Sequence, residues 1–249
     1  TVIFFITDHG VSHARGKQYC YDEGMMIPFF VHAPGRVKPS TVRKDPVAHI
    51  DLAATSLYFA GINIPEYMEA RTLFGPDAQA RKFAVSARDR CDETYDRIRA
   101  VRTQRFKYIR NGYPERPHLQ PCAYKDNKST YLAIRDWGKK GKLNELQQRL
   151  ILSPTRQAEE LYDLKKDPWE LKNLAGDPKH AKTLLKMRKT LDQWIDETGD
   201  LGQKVEPMKM YDSDMKIYMD GQASRGRQER ADEIQANVDQ MKKWWKEGK

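Results

Sequence analysis

After Thr1 the chain runs through five consecutive apolar residues, Val2 to Ile6. A run this short, β-branched and aromatic, predicts a strand buried on both faces, as in a parallel sheet, because no alternate polar position is left to meet water. Such a strand needs neighbours on either side. Few segments here can supply them, chiefly Ile27 to His32 (IPFFVH). The expectation is therefore the C-terminal part of a larger α/β protein, with most of the sheet on a missing N-terminal half of the same protein.

Length allows one large domain or two smaller ones. The 44 Lys+Arg against 35 Asp+Glu leave a charge of +9. That balance suits an acidic partner, whether nucleic acid, anionic polysaccharide or a phosphorylated or sulfated ester, and selects none of them. Apolar residues are 39% of the chain, and they fall in blocks, which argues against wholesale disorder. No apolar run reaches the roughly 18 residues that would suggest a membrane span. Val2 to Ile6 is too short, and lacks the basic flank, for a signal peptide. Cys20, Cys91 and Cys122 show no CxxC spacing for zinc and are too few for a disulfide framework, so one disulfide and none remain open.

Composition divides the chain into residues 1–80, 81–202 and 203–249. The first part alternates apolar strands with Gly/Pro turns and carries a helix over 51–60. The second is rich in Arg and Tyr, with strands expected at 83–87, 98–103 and 106–110, the last two paired as VRT-QR-FKYIR. Asp177-Pro178 predicts a helix start, and Leu184, Met187, Leu191, Trp194 and Ile195 mark its apolar face up to Gly199. In the third part the methionine-rich MKMYDSDMKIYMDG reads as adaptable packing. A last helix sets Ala231, Ile234, Val238, Met241 and Trp245 on one docking stripe. Acidic residues interleave with its basic ones, which argues against a nucleic-acid arm.

Three clusters could carry chemistry. Asp8-His9-Gly10 follows the first strand, where open α/β sheets bind ligands; a carboxylate and an imidazole there could reach a metal, or could simply cap a turn. His13, Arg15 and Lys17 lie on the loop leaving that strand end, able to neutralise an anion or to remain a solvated basic loop. Arg88, Arg90 and Asp92, in SARDRCDE after a predicted strand end, could grip a sugar through its anionic groups and hydroxyls, or pair internally. Tyr21-Asp22-Glu23-Gly24 reads as scaffold, and the stiff loop Tyr113 to His118 as a connection.

Taken in series, TDHG…GK…YDEG…IPFFVHAPGR resembles the C-terminal half of the formylglycine-dependent sulfatase family, in the alkaline-phosphatase-like superfamily. HIDLAATSLYFAGINIP, IRAVRTQRFKYIRN and ELYDLKKDPWELKNLAGDP continue the likeness in order, over about residues 1–200. The resemblance implies an α/β fold: the C-terminal part of a parallel-sheet sandwich with a smaller antiparallel-sheet and helix subdomain. It implies Asp8 and His9 as a metal pair, for calcium with magnesium the alternative, and Lys17 as the lysine that contacts sulfate. His13 and Arg15 lie where the family's loop varies and are carried only as substrate contacts.

The family's nucleophile arises from Cys/Ser-x-Pro-x-Arg, and none of the three cysteines stands in that pattern. The resemblance therefore implies a nucleophile outside these residues. It also implies a sulfated carbohydrate substrate and a periplasmic or secreted location. Two competitors stand beside it: a phosphonate or phosphodiester hydrolase of the same superfamily, and a non-catalytic polyanion-binding module. No aromatic–basic nucleic-acid module is visible, so no nucleic-acid partner is expected.

Overall fold

A computed structural model describes residues 1–249. The first strand, β1 (Ile3–Ile6), does form, but it pairs antiparallel with β2 (Phe29–His32) in a two-stranded sheet, Phe5 opposite Phe30. Between them lie the loop of residues 7–21 and the one-turn helix α1 (Asp22–Met25). The helix expected over 51–60 forms as α2 (Asp51–Ala60), ending at Gly61 in the left-handed conformation. Its Phe59 packs 6.1 Å from Phe4, covering one side of the small sheet. The other side stays open: Phe5 is 60% and Phe30 65% exposed. Burial on both faces is thus not met within this chain, because α2 supplies one cover and no further strand flanks either edge.

The larger sheet has the order β3-β4-β5-β6, all antiparallel, formed by β3 (Phe83–Cys91), β4 (Thr94–Thr103), β5 (Phe106–Asn111) and β6 (Glu159–Asp163). Strand alternation gives it two apolar faces. On one, Val101, Tyr108 and Leu161 meet Leu184, Met187 and Leu191. On the other, Ile98, Ala100, Ile109 and Tyr162 meet Tyr19, Cys20 and Tyr21. The second contact matters for function, because it bolts the loop after β1 to the back of this sheet.

The β5–β6 connection holds α3 (Ala123–Asp126), α4 (Ser129–Lys139) and α5 (Glu145–Gln147), the last continuing as a π-helical turn over Gln148–Leu152. The helix begun at Asp177-Pro178 is α6 (Ala181–Thr198): the Asp177 side chain accepts from the Lys179 amide, and Gly199 ends the helix with φ +62°. Its buried stripe is the expected one.

The helices α7 (Met208–Ala223) and α8 (Gln228–Lys246) make a hairpin whose core is Tyr211, Met215, Ile234, Val238 and Met241. Met215 is buried, as adaptable packing predicts, whereas Met210 is 60% exposed. The hairpin grips the β3–β4 turn: Tyr211 donates to the Glu93 carbonyl, and Asn237 to the Glu93 carboxylate. No helix is long and apolar enough to cross a membrane.

Candidate functional site

The motif glycines interlock. Gly10 donates its N–H to the Gly24 carbonyl (2.9 Å), Val11 to Glu23 (2.9 Å), and Lys17 closes the loop by donating to Val11 (2.8 Å). A Cβ at Gly10 would lie 2.3 Å from the Glu23 carbonyl oxygen, at Gly16 1.7 Å from that of Val11, and at Gly24 2.6 Å from Gly16. Only residues without a side chain allow three backbone strands this close. The spacing HG…GK…EG is therefore a packing requirement, and it holds Asp8 and His9 at one end of a closed loop and Lys17 at the other.

Arg15 sits inside this arrangement. Its two terminal nitrogens donate to the Trp169 and Glu170 carbonyls, both at 2.9 Å, and its guanidinium lies 4.0 Å from the centroid of the Tyr21 ring. The residue is buried, so here it is a strut fastening the loop to the segment after β6, not a group facing a ligand. His118 is a second strut, within 3.0 Å of the Ala14 carbonyl and stacked 4.1 Å from Tyr19. Burial pulls its pKa down to about 3, so the ring is neutral at ordinary pH. Asp22 is a third, pairing with Lys107 and Arg102. His13 is exposed on the loop surface.

His9 Nδ1 lies 2.7 Å from the Gly10 carbonyl, an acceptor only, so Nδ1 carries the proton. His9 Nε2 is then left 3.6 Å from Asp8 Oδ2. With the proton on Nδ1, Nε2 and the carboxylate turn lone pairs toward each other, a geometry that a water, a proton or a metal cation can bridge. A backbone carbonyl on the far nitrogen is also the usual partner of a metal-ligating histidine. The Asp8 side chain is 87% exposed, so such an ion is reachable from solvent. The pair thus fits a divalent metal as part of a ligand set. Two ligands alone fall short of the six to eight oxygens that calcium takes.

A second group, Asp92, Glu93 and Cys122, brings potential ligand atoms within 4.8 Å of one another. It suits a hard cation less well. Glu93 already accepts from the Ala123 amide and from Asn237, and burial pushes its pKa up, favouring the neutral form. Cys122 offers sulfur, and its thiol is pushed up by burial as well. All three cysteines are free; Gln18 Nε2 contacts Cys91 Sγ at 2.9 Å and Cys122 Sγ at 3.5 Å.

The segment Arg88 to Cys91 is strand, not loop, since β3 runs on to Cys91 with an irregularity between Arg88 and Arg90. That changes what these side chains can do. Arg88 is buried, donates to the Gln18 carbonyl (3.0 Å) and lies 3.6 Å from Asp96. Arg90 pairs with Glu206 (3.0 Å) and Asp214 (2.5 Å), tying the turn to the hairpin region. Asp92 occupies the turn itself with φ +52°, which Asp tolerates better than most residues. The internally paired reading accounts for both arginines, and only Asp92 retains a free carboxylate near the loop.

Tyr124, Lys125 and Lys128 carried no sequence signal and stand beside Lys17. Lys17 Nζ is 5.1 Å and Lys128 Nζ 4.2 Å from the centroid of the Tyr124 ring. Lys125 is buried and donates to the Lys17 carbonyl. Its pKa falls to about 8, chiefly through burial. More than a hundred residues separate these groups from Lys17 in the chain, so only the fold brings them together.

Residues 9–117 match the family model described as N-sulphoglucosamine sulphohydrolase, C-terminal. An ulvan-active sulfatase of Formosa agariphila is 37% identical over 201 residues, covering 80% of this chain and 34% of that protein. Human N-sulphoglucosamine sulphohydrolase is 26% identical, over 80% of this chain and 42% of its own length. The solved structure of a 2-O GAG sulfatase superposes with a TM-score of 0.59 at 24% identity, covering 83% of this chain and 38% of that one, and shows the shared fold. The chain thus spans between a third and a half of the length of these relatives.

Proposed function

We propose that this chain, which matches the C-terminal half of polysaccharide sulfatases, contributes one wall of the active site of a sulfuric ester hydrolase acting on a sulfated carbohydrate. The observation that carries this reading is the glycine-locked loop with Asp8 and His9 at one end and Lys17 at the other. Cleaving a sulfate ester builds negative charge on the sulfuryl oxygens and the leaving oxygen. Lys17, which forms no ion pair in the structure, offers its ammonium to that charge as a compact point donor. A divalent metal held partly by Asp8 and His9, calcium in our reading, would supply Lewis-acid polarisation of the same group. The Gly10 carbonyl holds the ring proton on His9 Nδ1, so Nε2 is the atom that would coordinate such an ion. Arg15 and His118 orient the loop without touching substrate.

The nucleophile in this reading is a formylglycine supplied by residues outside the 249 described, and a polysaccharide substrate goes with a periplasmic or secreted location. The test is turnover of aryl sulfate against aryl phosphate by the full-length protein. Sulfate should be preferred, and Lys17→Ala should lower kcat/KM for it by about 10²–10³, the cost of one lost oxyanion donor. Faster aryl phosphate turnover would transfer the site to phosphoryl chemistry. Undiminished sulfate turnover by Lys17→Ala would remove the lysine from the mechanism.

A further inference from the structure

Two lysines from distant parts of the chain converge on one aromatic ring beside the loop. Lys128 follows α3, yet its Nζ stands 3.3 Å from Ser12 Oγ and 4.2 Å from the Tyr124 ring centroid, the same ring that Lys17 approaches at 5.1 Å. The negative face of the ring attracts both ammonium groups, and an anion lying beside them would gain from both charges. The chain supplies none. Several arginines nearby are neutralised, Arg90 by Glu206 and Asp214, Arg99 by Asp89 and Asp200, Arg156 by Asp96. Lys17, Lys125 and Lys128 form no ion pair. The acid next in sequence, Asp126, is already committed to Arg135 (2.7 Å) and to the Cys122 amide (2.8 Å). Meanwhile Tyr124 is 41% exposed, a ring open to solvent with two cations carrying unused donors near it.

We propose that Tyr124 and Lys128 form a binding site for a second anionic group of the substrate, a sulfate or carboxylate carried next to the ester that Lys17 engages, with the Tyr124 ring packing against the sugar. This rests on the sulfate-ester reading above and adds to it a selection rule: saccharides bearing two neighbouring anions are preferred over those bearing one. An ammonium suits this task because its donors rotate to meet either anion. The exposed ring supplies apolar contact for C–H faces, with a polar tip left in water.

The experiment compares three substrates with the full-length protein: a disaccharide monosulfate with an otherwise neutral neighbour, the matching disulfate, and the monosulfate next to a uronate. Lys128→Ala should raise KM for the two dianionic sugars about tenfold more than for the monosulfate, the size expected for one charge-assisted contact, with kcat altered much less. Lys128→Arg should restore most of the discrimination. Tyr124→Leu should raise KM for all three by a common factor. The arm that suffers more under Lys128→Ala, disulfate or uronate, identifies the second anion. Lys182→Ala, an exposed lysine on α6, controls for net charge. Equal losses on all three substrates in Lys128→Ala, with an unchanged melting temperature, would overturn the proposal while leaving the sulfatase reading intact. Failure of the unmutated protein to hydrolyse any of the three would overturn that reading first.

Discussion

The buried ammonium of Lys125 donates to the main-chain carbonyl of Lys17. One lysine, packed near the rings of Tyr19 and Tyr131, thereby fixes the backbone that carries another, while the second keeps its own ammonium free. The arrangement couples the stability of the loop to the protonation of a group inside the protein.

That coupling has a definite sign. Burial lowers the Lys125 pKa from 10.5 to about 8. Between these values the unfolded chain binds more protons than the folded one, so this group's contribution to stability rises with pH across that window and is least favourable below about pH 8. Lys125→Met has no such titration. The melting temperature of the parent protein relative to Lys125→Met should therefore climb from pH 8 to pH 10. A difference that stays flat across that range would mean that the folded-state pKa of Lys125 is not lowered, the group staying charged through it just as in the unfolded chain.

Asp96 is fully buried between Arg156, whose nitrogens lie at 2.8 and 2.9 Å, and Arg88 at 3.6 Å. Burial alone would raise its pKa, but the two guanidinium groups outweigh it and hold the carboxyl below the usual range. Its contribution is present above the ordinary Asp pKa and is lost as pH falls through the depressed folded value. Asp96→Asn would strand two buried cations and should cost about 3–5 kcal/mol, measurable by urea unfolding at pH 7. The penalty should shrink as the medium is acidified.

Glycine substitutions should separate the loop from the rest of the chain. In Gly16→Ala the new methyl would stand 1.7 Å from the Val11 carbonyl oxygen, so the loop must open. Turnover should fall at least as far as in Lys17→Ala, with faster hydrogen exchange at the Lys17 amide. Gly221, inside α7, has nothing within 4 Å of its missing Cβ. Gly221→Ala should stabilise the hairpin by about 0.5–1 kcal/mol through helix propensity.

Asp8→Asn should weaken divalent-metal binding by the full-length protein while leaving the fold intact, since the side chain is 87% exposed. Metal content after dialysis, measured by mass spectrometry, checks this. Retention of a full equivalent by Asp8→Asn would exclude Asp8 as a ligand. Removing the metal from the unmutated protein with a chelator should abolish sulfate turnover and be reversed by adding calcium.

Much of the local structure was legible because it depends on neighbours in sequence. The helix over 51–60, the VRT-QR-FKYIR hairpin and the capped start at Asp177 each follow from spacing, turn residues and caps, and the structure contains them at those places. The stretch Arg88 to Asp92 was less so. Its charges suggest a loop, yet β4 pairs with it through Arg90 and Cys91, and Asp96 and Glu206 neutralise its arginines. Glu206 lies more than a hundred residues further along the chain, and a countercharge that distant leaves no mark on a local charge pattern.

The same division runs through the candidate site. The order of residues brought Asp8, His9 and Lys17 forward through the likeness of TDHG…GK…YDEG to a sulfatase pattern, while those residues by themselves left a capped turn and a solvated basic loop open. Tertiary structure decided which cations are spent and which are free: Arg15 and Arg88 turn inward to carbonyls and to a buried carboxylate, whereas Lys128 crosses to Ser12 and Tyr124. The reason is that a charge's role depends on its solvation and its nearest countercharge, and both are set by what the fold places beside it.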